Sequence, residues 1–352
     1  MAGPRLEVLG LALAPGLRHK LQCAGFRTSA DLEGIGPVDL AREVQITPEE
    51  ALLVLKVASV RQGQQGGITG ARSAQQLYER EAAAKRIITF CPELDQVLGG
   101  GIASGQITEF CGVPGVGKTQ LGIQLAVDVQ IPEAFGGLAG SAVYIDTEGS
   151  FMVERAVEIA DACCRHLQRS AANSGDQAKQ QSASALSRDS MLANIHYFRV
   201  RDHVEQLAAL QTLPNFLQQH PQVRLIVIDS ITFHFRQDFQ DMALRTRILA
   251  QMAQQLMQLA EDRDVAVVLM NQVTTKISGD DQTRLVPALG DSWAHAATSR
   301  VILFWQDQTR CAFIYKSPYL PARTAQFHIT PEGVRGKRPQ KRARPKDVRA
   351  PG

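Results

Sequence analysis

Eight consecutive residues fit the pattern G-x-x-x-x-G-K-[ST] at every fixed position: Gly112, Val113, Pro114, Gly115, Val116, Gly117, Lys118 and Thr119. Glycines in such a segment let the backbone curl so that its N–H groups converge on an anion. The lysine ammonium can reach the β- and γ-phosphates of a nucleotide, and the hydroxyl that follows can ligate Mg²⁺. We therefore expect a nucleoside triphosphate and Mg²⁺ to bind at this segment.

The flanking residues favour a phosphate-binding loop over a chance match in a glycine-rich turn. Residues 107–110 form a short apolar, strand-like run that enters the loop, and residues 119–130 have a helical pattern that leaves it. The positive end of the helix dipole would then lie at the loop and add to its attraction for phosphate.

Polar residues also follow three other apolar, strand-like runs. Asp229 ends one run, and an acid at this place in P-loop enzymes holds the magnesium shell; the alternative is an acid that only caps a strand end. Glu148 follows another run and could orient or deprotonate an attacking water, with Asp146 as a rival that the sequence alone does not exclude. Gln272 follows a third run, where its amide can sense the γ-phosphate. The predicted catalytic residues are thus Glu148, Lys118 and Gln272, and the predicted metal ligands are Thr119 and Asp229.

Two segments that follow these residues carry basic side chains. Residues 230–241 interleave aromatic residues with Arg236, which suits stacking on single-stranded bases, although such aromatic residues more often pack in a core. Residues 273–290 carry Lys276 and Arg284 and lack helical periodicity. A long polar loop in a compact domain is usually functional or disordered. We therefore expect residues 273–290 to form a loop.

Apolar runs rich in β-branched residues recur through residues 87–334, with longer helical patterns between the earlier ones. These runs are 107–110, 142–145, 195–198, 225–228, 265–270, 301–305 and 312–315. Strands that alternate with helices form a parallel sheet covered on both faces. After Ser299 the runs follow each other closely, which indicates an antiparallel edge. Residues 168–188, rich in Gln, Ser and Ala, have the composition of a mobile polar insertion. We predict an α/β domain with a mostly parallel sheet.

Residues 1–60 have the pattern of a separate, all-α module. Short helical runs joined by glycine-containing turns suit a helix-hairpin-helix-type bundle, and Thr47, Pro48 and Glu50 form a capping-box pattern at one helix start. Such bundles either touch the DNA backbone or only dock proteins, and the sequence leaves both roles open. Residues 61–86 form a predicted linker with a flexible first part and a short helix over 73–85.

The net charge of +3 is unevenly distributed over the 352 residues. Residues 335–352 hold eight Lys or Arg and one acid, whereas the rest of the chain holds 30 basic and 34 acidic side chains. Any nucleic-acid contact must therefore come from local loops or from this tail. We predict that the tail is disordered and acts as a nuclear-import signal, with a nucleic-acid-binding arm as the alternative. The basic residues of the signal are Lys337, Arg338, Lys341, Arg342, Arg344 and Lys346.

Two further features of the composition exclude other classes of protein. The six cysteines show no C-x-x-C spacing, which disfavours a zinc site and indicates reduced thiols in a cytosolic or nuclear protein. No apolar run reaches the length of a membrane span.

The order of the motifs resembles that of the RecA-type recombinases, in particular their eukaryotic DNA-repair branch. That order is a small helical domain, a linker, GVPGVGKTQ, YIDTEGSF, RLIVIDS, MNQV, SWAHAATSRVIL and YKSP. The resemblance covers all of the chain except the tail. Segments 111–120, 127–133 and 273–277 are most similar to the C member of the paralogue set that assists the strand-exchange recombinase.

This resemblance implies a RecA-like P-loop NTPase core over residues 87–334, with ATP bound between neighbouring subunits by the loop residues and Gln120. It also implies that the segments 230–241 and 273–290 are two loops that hold single-stranded DNA, which makes Arg236, Lys276 and Arg284 candidate DNA contacts. Trp293 and His295 would either face the next subunit's nucleotide or belong to a buried cluster.

Two positions depart from the strand-exchange enzyme. Its Phe-x-x-Ala, which plugs one subunit into the next, is replaced here by Ala71-Arg72-Ser73-Ala74. Without the benzyl group, the contact between subunits would lose about 3 kcal/mol of favourable free energy from apolar burial. We therefore expect hetero-oligomers with sister paralogues instead of long self-filaments. The YDSP turn near the neighbouring nucleotide is Tyr315-Lys316-Ser317-Pro318 here, which leads to the hypothesis that the Lys316 ammonium replaces a monovalent cation.

Two functions fit these expectations. The first is a DNA-dependent ATPase subunit of paralogue complexes in homologous-recombination repair of double-strand breaks and crosslinks, which assists recombinase filaments on single-stranded or branched DNA. The second is a non-enzymatic adaptor in which ATP only locks the same subunits together. The complete catalytic set favours the first, although binding and hydrolysis share most of its residues. A hexameric helicase or clock-type ATPase lacks support from the N-terminal module. The expected location is the nucleus, with some protein in the cytoplasm.

Overall fold

A computed structural model of the chain describes residues 7–11, 13–32, 35–60, 73–237, 239, 241–277 and 283–336. The chain divides into two compact units, Met1–Ala83 and Ala84–Gly352. The proposed import signal and the plug positions Ala71 and Arg72 lie outside the described residues, so the predictions about them stay predictions.

The first unit is a small helical bundle. Its helices are α1 (Pro15–Cys23), α2 (Pro37–Val44), α3 (Pro48–Val60) and α4 (Ala74–Ala83). Leu21, Leu40 and Val54 are fully buried in its core. The predicted capping box is present at the start of α3, because the Thr47 N–H donates to Glu50 Oε2 at 3.0 Å and the Glu50 N–H donates to Thr47 Oγ1 at 3.2 Å.

The second unit is built from helices and strands that alternate along most of its length. Its helices are α5 (Pro92–Val97), α6 (Lys118–Asp128), α7 (Val153–Ser174), α8 (Gln177–Ala185), α9 (Arg188–Ala193), α10 (His203–Gln219), α11 (Phe233–Gln237), α12 (Met242–Arg263) and α13 (Gly290–Trp293). Its strands are β1 (Arg86–Ile87), β2 (Ile102–Ala103), β3 (Ile107–Gly112), β4 (Ser141–Asp146), β5 (Ile195–Arg199), β6 (Val223–Asp229), β7 (Ala266–Ile277), β8 (Thr283–Pro287), β9 (Ser299–Gln306), β10 (Thr309–Lys316), β11 (Thr324–Thr330) and β12 (Gly333–Arg335).

One large sheet organises this unit, in the order β12-β11-β10-β9-β3-β7-β6-β4-β5. The strands from β9 to β5 in that order are parallel, whereas β9, β10, β11 and β12 form an antiparallel edge. Each of the apolar runs singled out in the sequence lies in a strand of this sheet, except that Val265 precedes the first residue of β7. The predicted α/β, RecA-like fold with a mostly parallel sheet and an antiparallel edge is confirmed.

The central strands β3, β4 and β6 are buried on both faces of the sheet. Side chains alternate between the faces with the period of two that a strand imposes. Along β6, Leu225 and Val227 join the core that includes α6 and α7, and Ile226 and Ile228 join the core that includes α10 and α12. Burial on both faces is the reason that this strand is a nearly continuous apolar run.

The prediction of a mobile polar insertion over residues 168–188 is wrong. The segment lies mainly in α7 and α8, and Ala171 and Ala183 are each 3% exposed in the core. Alanine has the highest helix propensity, and its methyl group is small enough to pack closely between helices. Because the segment contains many Gln and Ser residues, its composition alone did not indicate this apolar face.

The two segments predicted as loops carry regular structure. Residues 233–237 form α11, in which Phe235 is 1% exposed and His234 is buried, so these two rings belong to the core and are not free to stack on bases. Strand β7 continues to Ile277 and pairs antiparallel with β8 to form a hairpin. The β-branched residues of 273–277 favour this strand, a signal that the search for helical periodicity missed.

Arg335 belongs to the sheet and not to the basic tail. It ends β12, and its guanidinium carbon lies 5.0 Å from the centroid of the Phe90 ring. Burial lowers the pKa of this guanidinium, and its Nη1 donates to the Val334 carbonyl at 2.7 Å. The boundary of the predicted tail therefore moves past this residue. No helix in the described ranges combines the length and the apolarity that a membrane span requires.

Candidate active site

The carboxyl ends of β3, β7, β6 and β4 lie side by side at one edge of the sheet. The strand register pairs Gly112 with Gln272, and Asp146 with Asp229. In open parallel sheets this edge is where ligands bind. Residues that are far apart in the sequence are thereby brought to one place.

The loop after β3 needs glycine for steric reasons at two of its positions. Gly117 precedes α6 with φ 112°, a left-handed backbone conformation that residues with a Cβ rarely adopt. At Gly112, a Cβ would lie 2.7 Å from the Leu303 carbonyl oxygen of the neighbouring strand β9. These close approaches let the backbone turn sharply between strand and helix, as a phosphate cradle requires.

Lys118 is held against this loop. Its Nζ donates to the carbonyl oxygens of Gly112 at 2.8 Å and Val113 at 3.1 Å. Burial lowers the pKa of the ammonium, and the nearby carboxylates of Asp229 and Glu148 oppose that shift. A partly buried ammonium at the start of a helix, with carboxylates beside it, fits a phosphate group that would complete its charge balance.

Asp229 links three elements of the site. Its Oδ2 accepts hydrogen bonds from Thr119 Oγ1 at 2.6 Å and from Tyr144 Oη at 2.9 Å. Burial raises the pKa of the carboxyl to about 6, the two hydroxyl groups oppose the shift, and the charges of Glu148 and Asp146 add to it. A carboxylate beside a threonine hydroxyl is an oxygen donor pair of the kind Mg²⁺ prefers, so the residues fit the ion. Tyr144 was missed in the sequence, where its only signal is a hydroxyl between the apolar residues Val143 and Ile145.

Asp146 and Glu148 differ in what they contact. The Asp146 carboxylate is fully buried and accepts the backbone N–H groups of residues 148–151 at 2.7 to 3.2 Å, as well as the Tyr197 hydroxyl at 3.0 Å. It folds the turn after β4 and has little capacity left for another partner. Glu148 is exposed, and its Oε1 accepts only side-chain donors among the described contacts, Ser230 Oγ at 2.6 Å and Gln272 Nε2 at 3.0 Å. The geometry therefore favours Glu148 over Asp146 as the acid that acts on water.

Ser230 is fixed by a reciprocal pair of hydrogen bonds that the sequence did not indicate. Its N–H donates to Thr147 Oγ1 at 2.8 Å, and the Thr147 hydroxyl donates to the Ser230 carbonyl at 2.8 Å. Both residues are fully buried. The pair joins the carboxyl ends of β4 and β6 and so positions the Ser230 hydroxyl beside Glu148.

Gln120 is held by a hydrogen bond from Arg155 that the sequence did not indicate. Its Oε1 accepts from Arg155 Nε at 2.6 Å, and the same guanidinium donates to the carbonyl oxygens of Thr330 at 2.5 Å and Pro331 at 2.9 Å. Arg155 thus ties α6 and α7 to the turn between β11 and β12.

The predicted DNA contacts follow the site on two separate segments. Arg236 is exposed, and its Nη1 donates to Gln272 Oε1. Lys276 and Arg284 are paired with each other in the backbone register of the hairpin, four residues beyond Gln272 along β7. The hairpin therefore leads directly away from the predicted sensor.

Lys316 and Trp293 lie in a second cluster next to β3. The Lys316 Nζ donates to the carbonyl oxygens of Ala294 at 2.7 Å and Ala297 at 2.8 Å. Trp293 is 2% exposed and its Nε1 donates to Glu109 Oε1 at 2.8 Å, so it belongs to a buried cluster. His295 is exposed.

Comparisons with known proteins agree with this architecture. A model of the Rad51 family matches residues 80–173 and 178–337. The chain belongs to the Rad51 family. The DNA repair protein RAD51 homolog 3 of Cricetulus griseus is 48% identical over 336 residues, which are 94% of this chain and 92% of that protein. The protein of the same name in Dictyostelium discoideum is 45% identical over 250 residues, which are 71% of this chain and 65% of that protein.

These findings confirm the resemblance to the recombinase paralogues, and to the C member among them. The family match spans every strand and loop of the site described above. Membership of the family supports nucleotide binding by the RecA-like core and a role in homologous-recombination repair.

The contrast between the two aspartates generates a prediction about stability. The folded pKa of Asp229, about 6, exceeds that of an unfolded aspartate, so its charge destabilises the fold increasingly as the pH rises from 4 to 6 and fully above pH 6. Asp229→Asn should therefore stabilise the nucleotide-free protein by about 1 to 3 kcal/mol at pH 7.5. Asp146→Asn should destabilise it, because backbone N–H groups lose a charged acceptor.

Thermal unfolding of the full chain at pH 7.5 and pH 5, with and without Mg·ATP, measures both effects. Asp229→Asn should also lose the extra stability that Mg·ATP confers on the unsubstituted protein. A lower midpoint for Asp229→Asn than for the unsubstituted protein at pH 7.5 would contradict this account of the buried charge.

Proposed function

We propose that this chain is a DNA-dependent ATPase subunit of recombinase-paralogue complexes that act in homologous-recombination repair. The observation that carries the proposal is the exposed Glu148, held by Gln272 next to the loop that contains Lys118. A site that only bound nucleotide would need the loop, Thr119 and Asp229, but no acid placed to act on water.

Each residue has a role that its contacts support. The loop N–H groups and Lys118 would hold the phosphates, and Thr119 and Asp229 would hold Mg²⁺, which would neutralise phosphate charge. Glu148 orients the attacking water and accepts its proton. Phosphoryl transfer depends mainly on such positioning, because the protein has little covalent chemistry to perform. Gln272 connects this site to the hairpin that follows it.

The proposed function also requires nucleic acid and partner subunits. Arg236 at the rim of the site, with Lys276 and Arg284 on the hairpin, would contact single-stranded or branched DNA. Replacement of the plug phenylalanine by Ala71 favours hetero-oligomers with sister paralogues, which would assist filaments of the main recombinase. The basic residues of 337–346 would direct the protein to the nucleus.

One observation favours a second candidate function, an adaptor in which ATP only locks subunits together. Ser230 and Gln272 both donate to the same oxygen of Glu148. A carboxylate oxygen that already accepts two hydrogen bonds has little capacity left to orient a water. Such a site would retain ATP for long periods.

Two substitutions separate these functions. Lys118→Ala should abolish nucleotide binding and therefore both functions. Glu148→Gln preserves size and polarity but cannot accept the proton, so nucleotide affinity should stay unchanged while turnover falls by roughly 100-fold or more. The measurements are nucleotide binding and phosphate release by the full chain with its partner subunits, together with crosslink repair in cells. Full repair by Glu148→Gln would decide for the adaptor.

The contacts of Lys316 predict independence from potassium. Its ammonium already donates to the carbonyl oxygens of Ala294 and Ala297, where a monovalent cation would otherwise bind. ATP turnover should therefore not change when potassium is exchanged for a cation that does not bind. Lys316→Ala should make turnover depend on potassium, whereas Lys179→Ala, at a half-buried position on α8, should not. Strong potassium dependence of the unsubstituted protein would refute the hypothesis.

The import signal can be tested by truncation after Gly336, which leaves the packed Arg335 in place. The truncated protein should bind ATP normally and accumulate in the cytoplasm, as measured by nucleotide titration and by fluorescence microscopy. A second truncation that also removes Arg335 controls for damage to β12 and should lower the unfolding midpoint. Nuclear accumulation of the protein that ends at Gly336 would show that 337–352 carry no import signal.

A further inference from the structure

A continuous row of side-chain hydrogen bonds links the exposed surface to the predicted catalytic acid. Arg236 Nη1 donates to Gln272 Oε1, and Gln272 Nε2 donates to Glu148 Oε1 at 3.0 Å. Ser230 Oγ donates to the same Glu148 oxygen at 2.6 Å. Both ends of the Gln272 amide are therefore occupied, one by a cation and the other by the acid.

The backbone that carries Arg236 is anchored on its other side. The neighbouring Phe235 is 1% exposed and stacks on Phe239 with ring centroids 5.4 Å apart. The Phe235 carbonyl oxygen also accepts from Arg245 Nε at 2.7 Å. Because these contacts fix α11, a change at Arg236 is confined to its exposed side chain.

A phosphate group competes with Gln272 for this guanidinium. The amide oxygen of Gln272 is neutral and accepts one N–H of Arg236, whereas a phosphate carries charge and accepts two parallel bonds from the guanidinium fork. Nucleic acid that brings a phosphate to the exposed Arg236 would therefore draw the side chain away from Gln272.

We propose that Arg236 is a latch on ATP hydrolysis. In the absence of DNA, Arg236 holds the Gln272 amide against Glu148. A DNA phosphate that binds the Arg236 guanidinium releases both the amide and the acid. This proposal rests on the DNA-dependent ATPase function and specifies how that dependence arises. Released Gln272 no longer donates to Glu148 Oε1, which can then accept a hydrogen bond from the attacking water and orient it. Ser230 continues to position the acid.

The same contacts predict reciprocity. A γ-phosphate that attracts the Gln272 amide would free Arg236 for DNA, so nucleotide should raise the affinity for DNA by the factor by which DNA raises the affinity for nucleotide. Arg236 thus couples two ligands through a single amide, with no movement of α11.

Steady-state ATP turnover by the full chain with its partner subunits, measured with and without an oligo-dT single strand, tests the latch. Arg236→Ala should raise DNA-free turnover roughly threefold to tenfold, because one charge-assisted hydrogen bond at an exposed site is lost. Added oligo-dT should then change turnover little. Arg263→Ala is the matched control, because Arg263 is an exposed arginine at the far end of α12 and should leave both rates unchanged.

A double-mutant cycle separates the latch from a simple DNA contact. If Arg236 acts through Gln272, Arg236→Ala should add no change to DNA-free turnover in a Gln272→Ala background. The affinity for a non-hydrolysable ATP analogue gives a second readout, since DNA should raise it in the unsubstituted protein and not in Arg236→Ala.

The outcomes are distinct. Unchanged DNA-free turnover in Arg236→Ala, with weaker oligo-dT binding, would mean that Arg236 only contacts DNA; the latch would be wrong and the ATPase function would stand. An equal rise in the Gln272→Ala background would also overturn the latch. No turnover by the unsubstituted protein under any condition would overturn the ATPase function and the latch together.

Discussion

The site depends on a carboxylate held out of water. Asp229 is 2% exposed, and its burial is unfavourable unless donors or a cation compensate its charge. Thr119 from α6 and Tyr144 from β4 supply those donors. The charge that lowers the stability of the protein without nucleotide therefore also joins α6, β4 and β6. A bound cation would balance the remaining charge, which explains why the buried end of β6 tolerates an acid at this position.

Two acids separated by one residue have different roles in the turn after β4. The Asp146 carboxylate accepts backbone N–H groups and gives the turn its shape. The Glu148 carboxylate lies at the surface and, among the described contacts, accepts side-chain donors only. A rigid turn and an available acid are different requirements, and one carboxylate does not meet both. The Thr147–Ser230 pair adds the link to β6, so the position of Glu148 is set by two strands.

The site residues that could be predicted from the sequence are those whose chemistry requires fixed spacings along the chain. The loop glycines, Lys118, Thr119 and the acids at strand ends are recognisable because a phosphate or a cation demands those groups at fixed spacings, and the buried parallel strands are long apolar runs. Contacts such as Arg236–Gln272 and Tyr144–Asp229 were not predictable, because they depend on which strands become neighbours and in what register. Alanine-rich helices over 168–188 and the hairpin at 273–287 were misjudged for a related reason: composition and helical periodicity do not reveal which polar segments find a partner surface.

The central claim is that this edge of the sheet binds ATP and hydrolyses it in response to DNA. The most direct measurement is the nucleotide content of the full chain, purified with its partner subunits, after incubation with saturating Mg·ATP in the presence and absence of single-stranded DNA. The account predicts one nucleotide for each chain, bound mainly as ATP without DNA and increasingly as ADP with it. Chains that retain no nucleotide under either condition would contradict it.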